Sequence, residues 1–170
     1  MRINPAGEVV TKERFKILFD THFDDIRRYL FYRSGNEVLS TDLAQDTFMR
    51  IWEKQLDLEP GRDAGLLYKI ANDLFISHIR RERLSKGVRQ EWKFGIRCEG
   101  PDETMEFEEL KRKYEISLMK LPEKQRIVFL MSRMENLTYH EIATRLSLSV
   151  KAVEKRMTAA LTRLRKELLA

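Results

Sequence analysis

The sequence predicts an all-α protein built from two small helical domains. Apolar residues recur at helix spacing in almost every periodic segment, and no segment shows the sustained alternation of a strand. The helical periodicity fails once, between about residues 86 and 107, where glycines and a proline cluster. A structureless loop of about twenty residues is uncommon inside a compact domain. We therefore favour domains at 1–85 and 108–170 with a linker at 86–107, over one bundle with a long loop.

Composition limits the classes of function. Hydrophobic residues make up 42% of the 170 residues and charged residues 35%, no long apolar run occurs, and Met1-Arg2-Ile3-Asn4 begins no signal segment. We therefore expect a soluble, cytoplasmic protein. The single cysteine, Cys98, excludes an internal disulfide and a Cys-rich metal site, and the three histidines lie far apart in sequence. Neither a phosphate-binding loop nor an activated-nucleophile motif occurs, so we expect no metal, no cofactor and no catalysis.

Positive charge is concentrated in the C-terminal domain. Residues 108–170 contain 14 Lys and Arg against 8 Asp and Glu, whereas residues 1–107 contain 18 against 19. A basic domain is typical of proteins that neutralise nucleic-acid phosphates. From charge alone, a solvated charged surface remains the alternative.

Three helices are predicted in the N-terminal domain. The turn residues Ser34-Gly35-Asn36 separate the first from the second, and Pro60-Gly61 marks the loop before the third. The third runs into the basic segment at 80–83. The predicted inward stripes are Phe15, Leu18, Phe19, Phe23, Ile26 and Leu30; then Ala44, Phe48, Ile51 and Trp52; then Leu67, Ile70, Ala71, Leu74 and His78. His22 and His78 are interpreted as partly packed side chains.

The C-terminal domain contains a helix-turn-helix pattern. A helix begins at Leu121-Pro122-Glu123 and ends near Glu135-Asn136. Thr138 and Glu141 have the spacing of a capping box for a short helix, and Ser149 is positioned to cap a long final helix. The short connection and the basic second helix indicate DNA binding, although helical hairpins without DNA function are common.

The final helix divides into an apolar stripe and a polar face. The stripe is predicted to consist of Val150, Val153, Met157, Leu161, Leu164 and Leu168. The polar residues predicted to enter a major groove are Lys151, Glu154, Lys155, Thr158 and Thr162. On the flanks, Arg156, Arg163, Arg165 and Lys166 suit phosphates.

The C-terminal motifs resemble region 4 of sigma factors. Those motifs are Leu-Pro-Glu-Lys-Gln-Arg (121–126), Leu-Thr-Tyr-His-Glu-Ile-Ala (137–143), Ser-x-Ser-Val-Lys-Ala-Val-Glu-Lys-Arg (147–156) and Ala-Ala-Leu-Thr-Arg-Leu-Arg-Lys-Glu-Leu (159–168). The resemblance implies recognition of the −35 promoter element and docking on the β flap of RNA polymerase. The Val153-Glu154-Lys155 form is similar to the iron-transport and glycan-uptake subgroup of the extracytoplasmic-function (group IV, ECF) sigma factors.

Residues 42–52, Asp-Leu-Ala-Gln-Asp-Thr-Phe-Met-Arg-Ile-Trp, resemble sigma region 2.2, which binds the coiled coil of the polymerase β′ subunit. Its apolar residues are predicted to be buried. The resemblance assigns core-polymerase binding to the outward residues Asp42, Gln45, Asp46, Met49 and Arg50. An amphipathic helix with a solvated face is the alternative for this segment taken alone.

Residues 67–81 resemble sigma regions 2.3 and 2.4, which hold the opened −10 element. The implied −10 contacts are Lys69, Asn72, Asp73, Ile76, Arg80 and Arg83. In the family, the preceding loop, residues 54–64, captures a flipped base. Relatives often have Asn at position 73, and Asp73 is electrostatically unfavourable near DNA unless it pairs with Lys69 or Arg80.

Together the resemblances span about residues 13–83 and 108–168 and imply a sigma factor that binds core RNA polymerase and promoter DNA. An anti-sigma factor is the expected regulator. Two rivals are a DNA-binding activator with a sensory N-terminal domain and a protein-interaction bundle. The first predicts a ligand pocket or a phosphoacceptor aspartate on a strand, and the second leaves the basic helix-turn-helix unexplained.

Overall fold

The computed structural model describes residues 10–59, 63–86 and 105–169. Every regular element in these ranges is an α-helix, which confirms the all-α prediction. The helices are α1 (Lys12–Ser34), α2 (Glu37–Glu53), α3 (Ala64–Lys86), α4 (Met105–Lys120), α5 (Glu123–Met134), α6 (Tyr139–Leu146) and α7 (Val150–Leu169). Pro60, Gly61, Cys98, the first four residues and most of the proposed linker lie outside the described residues.

The helices form two compact units. The first contains α1, α2 and α3, and the second contains α4, α5, α7 and most of α6. The sequence did not predict α4, which begins at Met105, so that its first three residues fall inside the proposed linker. This helix starts in a stretch of acidic residues without a clear apolar stripe, so periodicity did not reveal it.

Local capping interactions determine where the first two helices begin and end. The side chain of Thr11 accepts from the Arg14 N–H at the start of α1. Gly35 ends α1 in the left-handed region, with φ 63°, and its N–H donates to the Phe31 carbonyl at 2.8 Å. Asn36 then caps α2 through its side chain, 3.0 Å from the Leu39 nitrogen. The turn predicted at 34–36 is therefore confirmed.

An aromatic cluster forms one side of the core of the first unit. Phe48 of α2 is 1% exposed, and its ring lies 5.1 Å from that of Phe19 and 6.0 Å from that of Phe23, measured between centroids. Phe15 lies edge-on to Trp52 at 5.0 Å. These contacts hold α1 against α2, as the two predicted stripes indicated. Four of the aromatic residues are only half-buried, which the stripes did not predict: Phe15, Phe19, Phe23 and Trp52.

The prediction for the buried face of α3 was partly wrong. Leu67 and Ala71 are buried, but Ile70, Leu74 and His78 are only half-buried. The remaining buried positions are Ala64, Tyr68 and Phe75. The face is rotated toward the two aromatic residues because they pack on α1: Tyr68 lies edge-on to Tyr29 at 5.0 Å, and Phe75 lies under the guanidinium of Arg33.

The predicted stripe on α7 also needed correction. Val153, Met157 and Leu164 are buried, but Val150 and Leu161 are 36% and 38% exposed, and Leu168 is half-buried. Ala160 is fully buried instead. At 3.6 residues per turn, Ala160 lies about 20° from the direction of Val153 and Leu161 lies about 80° away. The angular position around the helix axis, and not the hydrophobicity of the side chain, therefore determines that Ala160 is buried and Leu161 is not.

The predicted capping box at the start of α6 is confirmed. The Thr138 N–H donates to Glu141 Oε2 at 2.8 Å, and the Glu141 N–H donates to Thr138 Oγ1 at 3.3 Å. Ser149 likewise caps α7, accepting from the Ala152 N–H at 3.2 Å. These two caps delimit the helix-turn-helix.

Replacement of Thr138 by Ala is expected to lower the free energy of unfolding by about 1 kcal/mol, because the Glu141 N–H loses its acceptor and the Glu141 carboxylate loses the Thr138 hydroxyl. Urea unfolding followed by circular dichroism measures the change. Thr138→Ser keeps the hydroxyl and is expected to lose well under half of that amount. Equal losses in the two variants would show that the methyl group, and not the cap, stabilises this turn.

Candidate functional site

The outer face of α2 is polar and exposed. All five residues assigned to polymerase binding, Asp42, Gln45, Asp46, Met49 and Arg50, are exposed. The opposite face is anchored in the core by Leu43, Ala44, Thr47, Phe48 and Ile51. Met49 is 57% exposed, so a flexible apolar side chain stands among charged and amide groups. Such a face can accept a partner helix without rearrangement of the core behind it.

An apolar groove that the sequence reasoning missed borders this face. Its volume is about 460 Å³, and Gln45 and Met49 line it together with aromatic residues. The remaining lining residues are Lys12, Phe15, Phe19, Phe48 and Trp52. The phenylalanines of α1 are the sequence signal for this groove. Only the packing of α1 on α2 shows that they leave a groove between the two helices.

The second assigned surface is one face of α3. Lys69, Asp73, Arg80 and Arg83 are exposed, whereas Asn72 and Ile76 are half-buried between this face and the core. The spacing places all six on one side of the helix, and three of them are cationic. The face therefore combines positive charge with one amide and one apolar side chain.

Asp73 pairs with neither Lys69 nor Arg80, the two residues whose charge would make it favourable beside DNA. Among the residues that the structure describes, its side-chain contact is with the neighbouring amide, at 3.3 Å between Asn72 Nδ2 and Asp73 Oδ1. The oxygen of that amide accepts from Arg33 of α1 at 2.6 Å. Asp73 is thus part of a short chain of hydrogen bonds that runs from a buried guanidinium to the surface.

The helix-turn-helix carries the third assigned surface. Lys151, Glu154, Lys155, Thr158 and Thr162 of α7 are all exposed, and Arg156 is half-buried on the flank. The core residues of the helix hold it against α5 and α4. The Thr162 hydroxyl donates to the Thr158 carbonyl at 2.9 Å, so it offers its lone pairs and its methyl group outward.

The two histidines interpreted as packed residues each lie beside a carboxylate. His22 is 7% exposed, with Nδ1 3.9 Å from Asp25, and His78 Nε2 lies 3.7 Å from Glu82. Across residues 10–59, 63–86 and 105–169, no three His, Cys, Asp or Glu side chains are grouped as metal ligands. None of the described helices is both long and apolar enough to span a bilayer.

A helix-turn-helix that exposes Lys151 and Lys155 on its second helix, combined with a second helical unit that exposes polar faces, is typical of DNA-binding transcription proteins. The family model of sigma-70 region 2 matches residues 18–84, and that of sigma-70 region 4 matches residues 117–164. The two matches together cover more than half of the 170 residues.

Named relatives agree with these matches. The chain is 30% identical over 151 residues to the ferric citrate uptake sigma factor FecI of Escherichia coli, and the alignment covers 86% of each chain. It is 27% identical over 155 residues to the ECF RNA polymerase sigma factor SigE of Mycolicibacterium smegmatis, covering 89% of this chain and 60% of that protein. The chain belongs to the sigma-70 family and is an RNA polymerase sigma factor of the ECF type.

A solved structure agrees with the fold. The sigma factor RpoE of Bartonella quintana, in complex with the anti-sigma factor NepR, matches with a TM-score of 0.68 and 23% identity. The match covers 94% of this chain and 99% of that one. At this identity the likeness supports the fold of the helices alone.

Proposed function

We propose that this sigma factor binds the β′ coiled coil of core RNA polymerase through Asp42, Gln45, Asp46, Met49 and Arg50. One observation carries the proposal: the five residues selected by resemblance to region 2.2 are all exposed on one face of a helix that is anchored in the core by its other face. A rigid helix that exposes polar side chains and one flexible Met suits a helical partner.

The exposed face of α3 is proposed to hold the non-template strand of the opened −10 element. Lys69, Arg80 and Arg83 follow the phosphate backbone, while Asn72, Asp73 and Ile76 lie where bases would approach. The loop at 54–64, of which residues 60–62 lie outside the described residues, is proposed to receive a flipped base. A pocket for an extruded base offsets part of the cost of unstacking.

The outer face of α7 is proposed to read the −35 element in the major groove. Lys151, Glu154, Lys155, Thr158 and Thr162 face outward, and Arg156 lies at the flank where phosphates pass. The same unit is proposed to dock on the β flap. In this scheme residues 1–85 form region 2, residues 86–107 connect the regions, and residues 108–170 form region 4.

Regulation by an anti-sigma factor is part of the proposal. RpoE of Bartonella quintana was solved with its anti-sigma factor NepR, and the polar and basic faces described above are surfaces that such an inhibitor could cover. The similarity to FecI and the Val153-Glu154-Lys155 sequence support placement near the iron-transport and glycan-uptake subgroup. The polymerase supplies the catalysis, so the chain acts as a non-enzymatic specificity subunit. It acts where the polymerase is, in the cytoplasm.

Run-off transcription tests this function. Purified core polymerase with this protein is expected to produce specific transcripts from a genomic promoter library, and core polymerase without it is not. If no transcript depends on the protein and it binds duplex DNA without associating with polymerase, the DNA-binding activator is the better assignment.

The salt dependence of promoter binding tests the assignment of α7. Changing Lys151 and Lys155 together to Ala is expected to flatten the slope of log K against log salt by about 2, because two cations that enter the groove and neutralise nearby phosphates are lost. The measurement uses holoenzyme and a duplex promoter fragment across a salt titration.

A charge-matched control separates this effect from net charge. Lys113→Ala with Lys124→Ala removes two exposed cations from α4 and α5, and we expect the salt slope to remain unchanged. Equal slopes in the two double variants would show that α7 makes no local phosphate contact through these lysines.

A further inference from the structure

We propose that Arg33 is a positioning residue for the −10 contact: it fixes the side-chain amide of Asn72 so that only the N–H₂ group faces the DNA. The inference deepens the proposed −10 function and depends on it. The group that the amide binds must be a hydrogen-bond acceptor, either a phosphate oxygen or an acceptor atom of an unpaired base.

Arg33 is held rigidly inside the first unit. Arg33 is 7% exposed, and its guanidinium carbon lies 4.2 Å from the ring centroid of Phe75 and 5.7 Å from that of Tyr29. Both rings are themselves at most 5% exposed. A buried cation packed against two buried aromatic rings has few alternative rotamers, so the direction of its N–H groups is set by the core.

The guanidinium determines which way the amide points. Arginine has donors and no acceptor, so the atom of Asn72 that faces Arg33 Nη1 at 2.6 Å has to be the carbonyl oxygen. The opposite orientation would place two donors against each other in a partly buried environment, which is costly. Asn72 Nδ2 is therefore turned to the exposed side of α3.

One N–H of the amide is already used at the surface. Asn72 Nδ2 lies 3.3 Å from Asp73 Oδ1, so the carboxylate accepts one of its two hydrogens. The second hydrogen remains for an acceptor in the DNA. These contacts also explain how an acidic residue can lie close to DNA. Asp73 orients the Asn72 amide from the exposed side of the helix, and Arg33 orients it from the buried side.

A double-mutant cycle in holoenzyme tests the positioning. Opening of the −10 region is measured by permanganate reactivity of unpaired thymines, on a promoter recovered by run-off transcription. Asn72→Ala is expected to reduce the opening equilibrium about fivefold, the value of one hydrogen bond. Arg33→Met is expected to cause a similar loss in the wild-type background and less than a twofold further loss beside Asn72→Ala.

Two further variants separate positioning from structure. Arg33→Lys retains a donor-only group without the planar guanidinium, and it is expected to open the −10 region better than Arg33→Met but less well than the wild type. Asn72→Asp can accept from Arg33 with a full charge, but it loses the hydrogen bond to Asp73 and places two carboxylates side by side. We therefore expect thermal stability close to that of the wild type and opening at least as poor as with Asn72→Ala. Arg27→Met is the matched control, since Arg27 lies on the same helix and pairs with Asp24 at 3.4 Å.

The outcomes are distinguishable. A fivefold loss from Arg33→Met in both backgrounds would overturn the positioning role, and so would full opening by Asn72→Asp. Normal opening by Asn72→Ala would also overturn it, while transcription that still depends on the protein would leave the sigma function intact. If the wild-type protein directs no transcript from core polymerase, the proposed function itself is refuted. If Arg33→Met does not fold, the Lys and Asp variants alone decide.

Discussion

Changing Gln45 and Asp46 together to Ala is expected to weaken association with core polymerase at least a hundredfold and to abolish promoter-specific run-off. Both side chains are exposed at the centre of the polar face of α2, between Asp42 and Met49. Truncation of a polar residue at the centre of an interface causes a large loss of binding affinity, because the partner's groups are left desolvated and unpaired. A hundredfold loss corresponds to about 2.7 kcal/mol.

The measurement is a titration of labelled core polymerase with each variant, followed by run-off transcription. Glu13→Ala with Asp20→Ala is a suitable control, since it removes two exposed acidic side chains from α1 without touching the outer face of α2. We expect wild-type affinity from the control and an unchanged circular dichroism spectrum from both variants. Normal affinity of the Gln45 and Asp46 variant would remove α2 from the polymerase interface.

Phe48→Ala, on the opposite face of the same helix, is expected to lower the free energy of unfolding by about 3–5 kcal/mol. The ring is 1% exposed and makes aromatic contacts with Phe15, Phe19 and Phe23 of α1. Its removal leaves a cavity where α1 and α2 meet, and the half-buried phenylalanines lose the surface on which they pack. Urea unfolding followed by circular dichroism measures the loss.

Phe48→Leu is the matched control for this variant. It keeps most of the buried volume, and we expect a loss of about 1 kcal/mol. If Phe48→Ala cost no more than Phe48→Leu, the aromatic cluster would not be an important source of stability in the first unit. The α2 variants together separate the two faces: Phe48→Ala impairs folding, and the Gln45 and Asp46 variant impairs polymerase binding in a folded chain.

Local features of this protein were readable in the sequence because their partners lie within a few positions. Thr138 and Glu141 form their capping box three residues apart, and Gly35 ends a helix within a single turn. The exposed face of α2 follows from spacing alone, since 42, 45, 46, 49 and 50 lie on one side of any regular helix. Resemblance to regions 2 and 4 then connected these faces to transcription.

The exact rotation of a helix against its neighbours was not readable in this way. On α7 the fully buried position was Ala160, where the apolar pattern favoured Leu161. On α3 the aromatic residues Tyr68 and Phe75 turned the buried face toward α1. A pattern of apolar residues specifies a broad stripe, whereas packing against a particular neighbour selects the few positions inside it that become dry.

The sequence by itself determined the helices that carry the proposed sites, their caps, and the sign of charge on each face. Only the tertiary structure decided that Arg33 meets Asn72 across 39 positions of sequence, and that α1 and α2 leave an apolar groove beside Gln45. The physical reason is the separation along the sequence over which each kind of interaction acts. Periodicity and capping depend on neighbours within about one helical turn, whereas a buried cation or a groove between helices exists only once distant segments have packed together.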